Sequence, residues 1–168
     1  VQHSNVLISL SQVSETLCIL LIPFFLRNFG IKKVMLIAMF AWVLRFGFFA
    51  IGNPGGGIWL FVLSMIVYGV AFDFFNISGS LFVNENTDKS IRSSAQGLFM
   101  LMTNGIGAAL GTLGAQWVVN ILVNEKKVPG VDGVIDWSAV MGGWCDAWYI
   151  FAGYALIVAV LFAILFRY

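Results

Sequence analysis

Residues 34–44 read VMLIAMFAWVL, eleven apolar side chains in succession. Such a run lacks both the two-residue alternation of a half-exposed strand and the one-sided stripe of a surface helix. It belongs in a medium that is apolar all round. Inside a bilayer only a helix or a closed β-barrel satisfies every backbone N–H and C=O, and barrel strands alternate apolar with polar. The run is therefore helical. Helical rise is about 1.5 Å per residue and the hydrocarbon core about 30 Å thick, so a span takes about 20 residues. Five stretches reach that length, at 5–26, 32–52, 58–83, 94–122 and 147–166. The second stops at the break Gly52-Asn53-Pro54-Gly55, and the fourth is rich in glycine. The expected fold is all-α, a polytopic transmembrane helix bundle.

Composition removes the competing classes. At 168 residues the chain has the length of one soluble domain, yet 60% of it is hydrophobic, 10% charged, and the mean hydropathy is +0.94. Soluble domains carry about 25% charged residues. A net charge of +1 supplies no basic patch for phosphates, so no nucleic-acid partner is expected. Cys18 and Cys145 form no disulfide framework and no metal-binding pair. His3 stands alone near the start, and no Ser/His/Asp or Cys/His set, HExxH or phosphate loop occurs, so an enzyme is not expected. No charged n-region precedes the apolar stretch beginning at Val6, so a signal peptide is not expected. The chain starts at Val1 and reads as part of a longer protein.

Orientation follows from lysine and arginine placement. With five alternating spans, Arg27, Lys32, Lys33, Lys89, Arg92 and Arg167 fall on one side, and only Lys126 and Lys127 on the other. The first side is read as cytoplasmic. The 123–146 segment, with Pro129 and four acidic residues, reads as a solvated external loop, and Trp137, Trp144, Trp148 and Tyr149 as an interfacial aromatic belt.

Three ionisable residues then remain inside the spans: Glu15, Arg45 and Asp73. Each costs about 2.5–3.5 kcal/mol at mid-membrane on insertion scales, and such residues usually face a cavity or a partner. Glu15 and Asp73 lie about 15–17 Å from the inner boundary at helical rise, which is the midplane. Arg45 sits a few ångströms further out. Gln12 and Glu15 share one face of span one, three residues apart. On span three Tyr68 and Phe72 form an aromatic edge beside the polar stripe Asp73, Asn76 and Ser80. Span four adds Gln96, Thr103 and Asn104, with Gly107, Gly111 and Ala115 at four-residue spacing. Interhelical hydrogen bonding accounts for a lone Asn76 or Asn104 as readily as a ligand site does, and the glycines read as helix-packing residues. The sequon Asn76-Ile77-Ser78 is accidental at this depth. A structural network of Glu15 and Asp73 with Arg45 is the plainer alternative to a cargo pathway.

An amide, carboxylates and aromatic faces suit a neutral, flat, polyhydroxylated cargo. Carboxylates accept from ribose hydroxyls, glutamine pairs with a base edge, and aromatic faces stack on the ring. A carboxyl group kept from water favours its neutral form, so it can carry a proton between faces.

The motifs SQVSETL (11–17), PFFLRNFGIKKVM (23–35), AWVLRF (41–46), SMIVYGVAFDFFNISGS (64–80), IRSSAQG (91–97), MTNG (102–105), DW (136–137) and FAGYAL (151–156) hold these same residues. Through them the chain resembles the nucleoside:proton symporter family of the major facilitator superfamily. The resemblance implies a partial C-terminal transmembrane domain over 1–168, about spans eight to twelve of twelve, with spans one to seven absent. It implies that Gln12 and Glu15 contact nucleoside and that Tyr68 and Phe72 line the same site. Asp73 beside them would be needed for transport. Asp73 and Glu15 are both candidates for the coupling proton, and Arg45, Asn76 and Asn104 for a supporting polar network. The implied partners are a nucleoside, the lipid bilayer and the N-terminal half of the same transporter. No cofactor is expected beyond the coupling proton. The implied setting is a bacterial inner membrane, and the implied work is nucleoside–proton symport by alternating access. The rivals are a carrier of another polyhydroxylated solute, such as a sugar, and a non-transporting scaffold subunit.

Overall fold

The computed structural model describes residues 4–52, 56–127 and 134–167. All its regular structure is helical: α1 (Ser4–Ile51), α2 (Ile58–Glu85), α3 (Arg92–Met100), α4 (Ala108–Val119) and α5 (Trp137–Leu165). A π-helical segment, Leu101–Gly107, joins α3 to α4, and a second, Asn120–Asn124, leads into one 3-10 turn, Glu125–Lys127. Four helical stretches are long and apolar enough to cross a membrane: Gln12–Ile51, Ile58–Glu85, Arg92–Lys127 and Trp137–Leu165. The chain is a multi-pass α-helical membrane protein. The Asn53-Pro54-Gly55 part of the expected turn, residues 128–133 of the expected outer loop, and His3 lie outside the described residues.

Where two spans are expected, at 5–26 and 32–52, one helical element runs through 48 residues. Its single break is Gly30, at φ 75° and ψ 167°. A side chain at that φ would collide with the backbone, so glycine is the residue that can hold it. The chain doubles back there. Ile22 and Ala38, eight residues either side of Gly30, lie in one buried cluster with Cys18, Val34 and Phe74. Residues 4–29 and 31–51 are thus two arms of a hairpin, each about 30 Å or more at helical rise. Helix persists almost to Gly30 from both sides because a single residue absorbs the reversal.

The third member of this core is α2. Membrane helices gain little from apolar burial against one another, so close approach and interhelical hydrogen bonds decide their packing. Both occur here. Gly69 of α2 lies against the backbone of Ser14 and Glu15, and the Ser14 hydroxyl donates to the Ile66 carbonyl of α2. Phe25 and Phe74 pack with ring centroids 5.1 Å apart.

The remaining helices pack more loosely around this core. α3 meets α2 through a reciprocal pair: Ser80 Oγ donates to Gln96 Oε1 at 2.9 Å, and Gln96 Nε2 donates to the Ser80 carbonyl at 2.7 Å. α5 begins at Trp137, ten residues earlier than the expected span at 147–166, and so takes in the second half of the expected 123–146 loop. The cause is an N-cap. The Asp136 carboxylate accepts from the backbone N–H groups of Ser138 (2.9 Å) and Ala139 (3.3 Å), supplying acceptors for the first turn. Gly143 then brings α5 against the Leu122 carbonyl. Trp148 is not a free interfacial anchor. It stacks on Phe49 at 4.8 Å and Phe46 at 6.0 Å, tying α5 to the second arm of α1. Leu110, Leu161 and Leu165 face outward, as lipid-facing side chains do.

Candidate functional site

Glu15 and Arg45 each stand fifteen residues from Gly30, one on each arm. A hairpin folded at that glycine therefore sets them level, about 22 Å from the turn at helical rise. α2 lies against both arms and adds Tyr68, Phe72 and Asp73. Tyr68 falls within electrostatic range of Glu15, Arg45 and Asp73, and Glu15 within range of Arg45 and Asp73, across three helical segments. Charges scattered over 59 positions of sequence converge because one turn and one helix–helix contact bring them together.

Asp73 is buried, 9% exposed, and its Oδ2 has no hydrogen-bond partner among the described residues. Tyr68 and Phe72 stack with centroids 5.7 Å apart and planes 22° from parallel, and Phe72 is 38% exposed. The aromatic edge thus has an open side next to a carboxyl group with unspent acceptor capacity. Gln12 is exposed on the face that carries Glu15. Amide, carboxylates and an aromatic platform at one depth can accept from hydroxyls, pair with a heteroatom edge and stack on a flat ring. Among the described residues no group of three His, Cys, Asp or Glu side chains could hold a metal ion. A cavity of about 510 Å³ lies elsewhere, lined by polar residues of the Glu85–Asp88 turn with Ile91 and Ala95. Asp73 is about 18 Å from Glu85 along α2 at helical rise, so the two features are separate.

Among the described residues, no hydrogen bond joins Arg45, Asn76 and Asn104, the residues expected to form a supporting polar network. Asn76 Nδ2 donates to the Phe72 carbonyl one turn back within α2 at 2.9 Å. Asn104 lies in the π-helical segment, exposed, with Nδ2 directed at Met100 Sδ, 3.3 Å away. Neither reaches Arg45 or Asp73 by hydrogen bonding. Arg45 is also not ion-paired: among the described residues no carboxylate lies within salt-bridge distance of it. Aromatic rings surround it instead. Its Cζ lies 4.2 Å from the Tyr68 ring centroid and 5.5 Å from those of Trp42 and Phe49. Trp42, Arg45 and Phe49 follow i, i+3, i+7 spacing, which puts them on one helix face. That spacing was the available signal for the cage. In the π-helical segment Thr103 Oγ1 donates to the Phe99 carbonyl at 2.8 Å. Gly111 has no atom within 4 Å of a hypothetical Cβ among the described residues, so its small face is open.

Sequence and fold comparisons show what the chain as a whole is similar to. The profile of the family described as Nucleoside H+ symporter matches residues 1–168. The xanthosine permease of Escherichia coli (strain K12) is 53% identical over 169 residues, covering 100% of this chain and 37% of that protein. The nucleoside permease NupG of the same strain is 50% identical with the same coverage. Among solved structures, nucleoside transporter NupG superposes with a TM-score of 0.81 at 49% identity, over 100% of this chain and 38% of that one. A point mutant of NupG gives a TM-score of 0.84 at 47% identity, over 99% and 38%. The chain spans little more than a third of the length of these relatives, which are permeases and transporters, not enzymes. With a family profile matched from end to end and half its residues shared with those permeases, the chain belongs to the nucleoside H+ symporter family.

Proposed function

We propose that this chain is the C-terminal part of a proton-coupled nucleoside transporter of a bacterial inner membrane, comprising five spans (residues 5–26, 32–52, 58–83, 94–122 and an extended last helix). The observation that carries the reading is Asp73: a buried carboxyl group at mid-depth, with an unpartnered oxygen, beside an open aromatic edge and level with Glu15. A scaffold subunit has no use for that combination. A transporter does, because a carboxyl group with no fixed partner is free to bind cargo or a proton. Gln12 and Glu15 contact the nucleoside, Tyr68 and Phe72 stack against it, and Asp73 or Glu15 carries the coupling proton.

Alternating access completes the cycle. Cargo is held near the midplane between two halves of the transporter, and the open faces at Phe72 and Gly111 are where the other half packs. The positive-inside rule orients the Gly30 turn and the 86–91 loop toward the cytoplasm.

The test is uptake of radiolabelled uridine by proteoliposomes of the full-length transporter under an inward proton gradient, with excess adenosine or excess glucose as competitor. Accumulation blocked by adenosine and untouched by glucose is the expected result. Glucose competition assigns a sugar carrier. Absence of any pH-dependent uptake assigns the scaffold.

A further inference from the structure

The guanidinium of Arg45 is the one strong charge of the midplane group that the symport reading leaves without a task. A cation at this depth is costly unless it is paired, solvated or faced by π-electrons. Here it is faced by three rings. Two of them, Trp42 and Phe49, come from its own helix, while Tyr68 comes from α2 and is approached most closely, at 4.2 Å. Trp42 meets the same tyrosine edge-on, with centroids 5.9 Å apart and planes at 85°. Tyr68 in turn stacks on Phe72, the ring at the open side. Arginine is suited to this duty because its planar, weakly hydrated group stacks on rings, whereas lysine is a strongly hydrated point charge. Its Nη1 is buried with no acceptor among the described residues.

We propose that Arg45 is a positioning residue for the nucleoside site: by gripping the Tyr68 ring from the second arm of α1, it fixes the Tyr68–Phe72 platform against which the cargo stacks. This rests on the nucleoside reading above. Arg45 does not touch cargo. It acts through Tyr68, and its contribution falls on affinity instead of turnover. Tyr68 and Glu15 are the titratable groups within its electrostatic range among the described residues.

The experiment is a double-mutant cycle in the full-length transporter, reading KM and Vmax for uridine uptake in proteoliposomes. Arg45→Gln raises KM about tenfold, the size of a desolvated cation–π contact, with Vmax within about twofold of wild type. Arg45→Lys recovers about half of that loss on a logarithmic scale, since the charge remains but the flat stacking surface does not. In a Tyr68→Leu background, where there is no ring to position, Arg45→Gln changes KM by less than about twofold. Additive effects of the two substitutions, or an unchanged KM in Arg45→Gln, overturn the proposal. Should Arg45→Gln fail to insert, the comparison of Arg45→Lys with and without Tyr68→Leu decides the matter by the same rule. Wild-type protein measured alongside separates the two levels of inference. If it takes up no uridine, the nucleoside reading fails. If it does while Arg45 and Tyr68 act independently, only the positioning role fails.

Discussion

Gly69 is the point at which a single methyl group should be felt at the site without any site residue being changed. A Cβ there would lie 2.9 Å from the Ser14 carbonyl carbon and oxygen and the Glu15 nitrogen, all backbone atoms of the first arm. Ordinary Cβ contacts begin near 3.4 Å, so the arm has to retreat by about half an ångström, and no flexible side chain is available to yield in its place. Overpacking of this kind costs about 1–3 kcal/mol. The retreat carries Gln12 and Glu15 away from Tyr68, Phe72 and Asp73, so much of that cost should appear in cargo binding. On the usual conversion it amounts to about 5- to 150-fold in affinity. Gly69→Ala in the full-length transporter is therefore expected to weaken uridine binding by about tenfold, measured by isothermal titration in detergent, with normal membrane insertion. Gly47→Ala is the control, because nothing lies within 4 Å of a Cβ at that position among the described residues. Alanine also favours helix over glycine by about 1 kcal/mol, so an effect in the other direction has a ready cause. If Gly69→Ala binds uridine as tightly as wild type, the close approach of the first arm to α2 does not shape the site.

Three further outcomes follow from the same geometry. Asp73→Asn and Glu15→Gln each abolish proton-driven uridine accumulation while leaving the protein inserted and folded; normal accumulation by either variant removes that residue from the coupling role. Gly143→Ala drives a methyl group into the Leu122 carbonyl and destabilises the α5 contact by about 1–3 kcal/mol, read as a lower thermal midpoint of the purified transporter, and an unchanged midpoint argues against that contact. At the start of α5, hydrogen bonds from the Ser138 hydroxyl and from the Ala139 and Ser138 amides hold the Asp136 carboxyl below the usual carboxylate range. A depressed folded-state pKa means that the cap contributes above the unfolded value and is lost as pH falls through the folded one. NMR of the Ser138 and Ala139 amides is expected to show a transition on the acid side of the usual carboxylate range that Asp136→Asn eliminates; persistence of the transition in that variant assigns it to another group.

The broad architecture was legible because a bilayer leaves so few choices. Long apolar runs had to be helices, and Glu15, Arg45 and Asp73 stood out as charges in apolar spans. Equal spacing of Glu15 and Arg45 about Gly30 was also present in the sequence, but its meaning depends on the hairpin closing at that one residue. What stayed hidden was interhelical. Trp42 and Phe49 share a face with Arg45, yet the ring that completes the cage, Tyr68, comes from another helix. Asn76 and Asn104 looked like network members because polar side chains in a span must find partners. Their side-chain amides instead donate one turn back along the chain, to the Phe72 carbonyl and to Met100 Sδ. The start of α5 was misplaced because glycines and acidic residues at 130–146 resemble a loop, whereas Asp136 followed by Ser138 caps a helix that the later tryptophans then pack against α1.

Proton movement itself is the most direct measure of the central claim, that the midplane carboxyl groups serve a nucleoside pathway. Uridine added to lightly buffered proteoliposomes of the full-length transporter should alkalinise the external medium as protons enter with it. Asp73→Asn should give no pH change under the same conditions. Uridine entering wild-type vesicles with the external pH unmoved would contradict the account, as would an undiminished alkalinisation in the Asp73→Asn protein.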